Sequence, residues 1–105
     1  MIFVAHALDK PDALEQRLAH LDAHRAYLDT APAEHGLRIL MSGPLLSDDG
    51  ETMIGSFFLI DAPSRAAVEA MFAGDPLANA EIWQSLSVSR VNIRQNNVGP
   101  LEAAS

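Results

Sequence analysis

A chain of 105 residues with 49% apolar and 20% charged residues suits one globular domain and excludes a disordered one. Net charge is −7, with one lysine (Lys10) and six scattered arginines, which excludes nucleic-acid backbones and anionic membrane surfaces as partners. There is no cysteine to form a disulfide, a thiol nucleophile or a thiolate metal site, and no apolar run nears the ~20 residues of a membrane span.

The opening stretch, Met1 to Lys10, has no basic residue ahead of its apolar part. It reads as a strand rather than a secretory signal, so the protein is expected in the cytoplasm. From Ile2 to Leu8 both alternating sets are mostly apolar, the pattern of a strand covered on both faces. Asp9-Lys10-Pro11-Asp12 breaks it, with Asp12 the expected N-cap of a helix. Residues 13–30 have helical spacing, and Leu14, Leu18, Leu21, Tyr27 and Leu28 fall on one face. Thr30-Ala31-Pro32 ends or bends this helix.

Leu37–Leu46 is a second predicted strand, carrying Ser42-Gly43-Pro44 near its end. Asp49-Gly50 signals a hairpin into a third strand, Thr52–Ile60. Ser64 caps a second helix that buries Val68, Met71 and Phe72 and closes at Gly74. Asp75-Pro76 starts a short helical segment over 76–82. Trp83–Arg94 is the fourth strand, and 95–105 form a polar tail.

The order β-α-β-β-α-β predicts an α+β domain over residues 1–94 with a ferredoxin-like antiparallel sheet. Right-handed crossovers put both helices on one face. The other face would remain apolar and uncovered, a state rarely tolerated in a monomer. A homodimer packed sheet to sheet is therefore expected.

Histidine titrates near neutral pH, so the four histidines are the first acid/base candidates. His20 and His24 share the i, i+4 spacing of a helical zinc pair, but no HExxH pattern or further ligands accompany them, so no metal is expected. His20 reads as a surface residue and His35 as solvated. His6 points out of the first strand and fills or lines the space between subunits. His24, between Leu21 and Leu28, lies on the buried edge of its helix, as a core histidine or as an acid/base group. Asp75 before Pro76 reads as a helix cap, a role compatible with orienting a histidine. Ser42-Gly43-Pro44 is either a tight strand exit or a place where backbone approaches a ligand. No phosphate loop, dinucleotide fingerprint or nucleophile elbow is present.

Taken in order, Asp9-Lys10, Arg17, Ala23-His24-Arg25-Ala26-Tyr27-Leu28, Met41-Ser42-Gly43-Pro44-Leu45, Gly55-Ser56 and Asp75-Pro76 resemble the YCII-related family over roughly residues 1–94. The resemblance implies a ferredoxin-like subunit of a dimeric α/β barrel, with a His-Asp pair in a cleft that falls on His24 and Asp75. It also implies proton-transfer chemistry, since some relatives are dehydrochlorinases of chlorinated hydroxyquinols. Three positions depart from the family pattern. Leu21 replaces a frequent arginine, Leu77 replaces an aromatic residue, and Ala80-Glu81 stands for Ala-Gly, adding a carboxylate near the pocket.

Two functions follow as expectations. The first is a cofactor-free lyase or isomerase of a small oxygenated metabolite. His24 would be its acid/base, oriented by Asp75, while Arg17 would bind an anionic group and Ser42, Gly43 and Pro44 would contact the ligand. The second is a non-catalytic small-molecule-binding module on the same dimeric barrel.

Overall fold

In a computed structural model, which describes residues 1–100, the chain runs β1 (Ile2–Asp9), α1 (Leu14–Glu34), β2 (Arg38–Leu46), β3 (Met53–Asp61), α2 (Arg65–Ala73), α3 (Pro76–Asn79) and β4 (Trp83–Arg90). The strands form one antiparallel sheet in the order β2-β3-β1-β4, the ferredoxin-like α+β arrangement. Alternation along the strands sorts the two faces. Phe3, Ala5 and Ala7 of β1 lie opposite Ile60, Phe58 and Ser56 of β3, and all six are buried. Ala31 from α1 and Val68, Met71 and Phe72 from α2 join this face in one core. The alternate residues Val4, His6 and Leu8 share the opposite face with Leu59, Phe57 and Met41. Among the described residues no helix covers that face.

Helix α1 departs from the sequence reading at both ends. Ala13, not Asp12, holds the N-cap position, and no side chain caps it. Asp12 sits at φ +59°, in the left-handed region, so it turns the chain instead. At the other end the helix passes through Pro32 to Glu34. Proline removes one N–H, but the last turn is held by His35, whose backbone N–H and ring Nδ1 both reach the Ala31 carbonyl. His35 is thus half-buried rather than solvated.

The buried face of α1 also differs. Leu14 and Leu18 are 37% and 52% exposed, while Arg17, His24 and Ala31 form the buried line. Strand β4 stops at Arg90, short of the expected Arg94: Arg90 faces Phe3, and the ladder ends with the Val91 N–H on the Ile2 carbonyl. Residues 95–100 of the expected tail form no helix or strand, and 101–105 lie outside the described residues.

Two tight features fix connections, one in the β2–β3 hairpin and one in the helical layer. The turn after β2 places Gly50 at φ +76°, while Asp49 accepts from the Ser47 hydroxyl and the Glu51 N–H. Those bonds hold the Asp49 carboxyl below its ordinary range. Gly74, after α2, has an ordinary φ of −96°, so its role is not conformational. A Cβ there would stand 2.5 Å from the Tyr27 hydroxyl, which donates to the Met71 carbonyl at 2.6 Å. Gly74→Ala is expected to cost about 1–3 kcal/mol by overpacking, read as a lower urea midpoint with an unchanged m-value.

Burial, then the charge of Asp75, raises the Tyr27 phenol above its ordinary 10.0. The folded chain therefore holds this proton more tightly than the unfolded chain. The associated stability is complete below pH 10.0 and is lost as pH rises toward the folded value. Tyr27→Phe should flatten the alkaline fall in melting temperature; an equally steep fall in the variant would assign it to other groups.

Candidate active site

Arg17 and His24 are seven residues apart, two turns of α1, and so share one helical line facing the sheet. Both are ionisable groups in the core, where they need partners. Arg17, 1% exposed, finds them in Asp9 and Ser56. Its Nε donates to Asp9 Oδ2 at 2.6 Å and its Nη2 to Asp9 Oδ1 at 3.1 Å, a two-pronged pairing. Nη2 also donates to Ser56 Oγ at 2.6 Å. Asp9 ends β1, and Ser56 is the polar member of the inward set of β3.

His24 is held from behind. Its Nδ1 lies 2.8 and 2.9 Å from the two oxygens of Asp75, which is 0% exposed. Asp75 also caps α3, accepting from the Leu77 N–H at 2.9 Å. The carboxylate only accepts, so Nδ1 carries the hydrogen and the neutral ring keeps its lone pair on Nε2. Phe58 and Trp83 pack edge-on to the imidazole, each with ring centroids 6.3 Å away. These contacts fix the ring plane.

A cleft of about 230 Å³ opens beside α1. Arg17, His24, Ser42, Gly43 and Pro44 all line it, as does Ser56. Its apolar wall comes from Leu21, Leu28, Met53 and Phe58. Of the site residues read from the sequence, only Asp75 stands off this surface, behind the histidine. The space suits one small ring rather than a long chain.

The structure corrects the expected place of Glu81. Glu81 is not at this cleft; it lies at φ +57° in a separate groove with Lys10, Pro11 and Asp12. The His20 ring Nδ1 donates to the Gln16 carbonyl at 2.9 Å and is half-buried. Among the described residues no three His, Asp or Glu side chains cluster to hold a metal ion. Asp9 and Ser56 had been given no role. Both belong to the motifs that carry the resemblance, and Ser56 adds a local signal, a lone hydroxyl in an inward set that continues Phe58 and Ile60.

Comparison with known proteins finds relatives of this chain. A model described as "YCII-related domain" matches residues 1–92. Proteins named YciI from Escherichia coli O6:H1 and from Shigella flexneri are each 32% identical over 93 residues, covering 84% of this chain and 93% of their own. Among solved structures, 5-chloro-2-hydroxyhydroquinone dehydrochlorinase (TftG) from Burkholderia phenoliruptrix AC1100, in complex with 2,5-dihydroxybenzoquinone, matches with a TM-score of 0.76. It is 30% identical, over 88% of this chain and 94% of that one.

Proposed function

Because this chain belongs to the YCII-related domain family, we propose that it is a cofactor-free lyase or isomerase that moves a proton on a small oxygenated ring. One observation carries the reading: His24 lines the cleft with Nδ1 tied to a buried aspartate, and its Nε2 has no partner among the described residues. Such a nitrogen accepts a proton from substrate and returns it, while Asp75 holds the tautomer. Arg17 supplies positive charge for an anionic oxygen. Ser42 contributes a hydroxyl, and Gly43 and Pro44 present backbone to the ring's edge. The similar dehydrochlorinase, bound to a dihydroxybenzoquinone, supports a ring of that kind as substrate.

The uncovered face of Val4, Leu8, Phe57 and Leu59 supports a homodimer joined sheet to sheet over residues 1–94. Sedimentation should find a dimer at micromolar concentration; monomer alone would remove that part of the proposal.

The chemical test is turnover of chlorinated and unchlorinated hydroxyquinols by the wild type and His24→Ala. A loss of roughly 10²–10⁴-fold in the variant is expected for removal of the acid/base group. Equal turnover would end the assignment. Ring release without conversion by the wild type would favour the binding-module reading.

A further inference from the structure

We propose that Ser56, polarised by Arg17, is the hydrogen-bond donor that holds a substrate oxygen as negative charge gathers on it, and that it selects ring hydroxyls over carboxylates. This rests on the acid/base reading of His24 above.

Ser56 is 2% exposed yet lines the cleft. Its Oγ accepts from Arg17 Nη2 at 2.6 Å. A hydroxyl has one hydrogen to give, and no described residue accepts that of Ser56. The group is therefore a buried donor with its lone pair engaged and its hydrogen unused. A guanidinium on its oxygen makes that hydrogen a stronger donor. Asp9 fixes Arg17 through two bonds, so the donor needs no rearrangement when charge develops.

Asp9 also sets the selectivity. It occupies two of the Arg17 donors, so the guanidinium acts on a substrate oxygen through an oriented O–H rather than as an open fork, and the other guanidinium on the lining, Arg25, is solvent-exposed, where an ion pair gains little. A carboxylate asks for a full positive charge or a two-pronged donor, whereas one ionising ring oxygen asks for one strong hydrogen bond. The surrounding wall of Phe58, Leu21 and Met53 suits the ring itself. In the reaction, His24 Nε2 takes the proton from a ring hydroxyl and the O–H electron pair stays on oxygen, where Ser56 donates to it. The proton then returns from Nε2 to a ring carbon as that pair moves back into the ring, so no further reactant is required.

The test measures dissociation constants for three probes: 2,5-dihydroxybenzoquinone, whose ring oxygens ionise, hydroquinone, which stays neutral, and benzoate. Wild type should prefer the ionised ring to both others. Ser56→Ala should weaken the ionised ring roughly 10- to 100-fold, the size of one charge-assisted hydrogen bond, with hydroquinone affinity little changed and a lower melting temperature, because the buried Arg17 Nη2 loses an acceptor. The pH dependence of binding, which follows ring ionisation in the wild type, should flatten in the variant; a merely structural role for Ser56 would not move it. Undiminished binding by Ser56→Ala, benzoate bound by wild type as tightly as the quinone, or no quinone binding at millimolar concentration overturns the proposal. If Ser56→Ala fails to fold, the wild-type preference and its pH dependence decide alone. Weakened binding in Ser56→Ala beside normal turnover in His24→Ala would uphold the donor and remove the acid/base reading. The reverse pattern would remove the donor and leave that reading intact.

Discussion

Asp75→Ala is expected to lose about 2–4 kcal/mol of stability and all His24-dependent turnover, whereas Asp75→Asn is expected to lose turnover with much less damage to the fold. The alanine variant deletes a helix cap, worth about 1 kcal/mol, and leaves the buried Nδ1 hydrogen without an acceptor, worth about 1–3 kcal/mol. Asparagine caps nearly as well and keeps the volume. Its single oxygen, however, must serve either Leu77 or His24. If its amide hydrogens meet Nδ1, the ring flips its proton to Nε2 and presents a donor where a base is needed. Urea unfolding separates the two effects from kinetics. Equal destabilisation by both substitutions would show that the cap and the histidine anchor are not distinct roles.

The second large effect concerns Arg17 and Asp9. Arg17→Met strands the Asp9 carboxylate, whose side chain is 5% exposed, beside an apolar neighbour. Breaking a buried pair in this way costs about 3–5 kcal/mol. A domain of this size has roughly 5–15 kcal/mol in total, so the single variant should unfold at far lower denaturant. Asp9→Ala combined with Arg17→Met removes both charges, and replacement of a whole buried pair is often close to neutral. The double variant is therefore expected to recover most of the lost stability, and the cycle to show strong coupling. Simple addition of the two single losses would mean that the pair is not energetically linked.

These expectations bear on how much the sequence disclosed. Strands β1 and β3 were legible because both alternating sets are apolar, and the turns because Asp49-Gly50 and Asp75-Pro76 permit few alternatives. The docking face of α1 was misread for a physical reason. Apolar spacing ranks residues by hydrophobicity alone, but the buried line here is Arg17, His24 and Ala31, whose charges are matched by groups on other elements. Leu14 and Leu18 were consequently assigned to the core and lie outside it. His24 and Asp75 are each candidates on local grounds, but only the resemblance pairs them, since 51 residues separate them and no local pattern joins them. Ser56 meets Arg17 across 39 residues, again with nothing local to report it. Thr30-Ala31-Pro32 reads as an end or a bend, yet the helix continues to Glu34, because the forfeited hydrogen bond at Pro32 is replaced by the His35 contacts.

Trp83 is the chain's single tryptophan, buried edge-on to His24 with an indole Nε1 that has no hydrogen-bond partner among the described residues. An imidazolium quenches indole emission more strongly than a neutral imidazole does. The fluorescence of the unlabelled protein is thus expected to report events at His24, ligand binding included, without adding a dye.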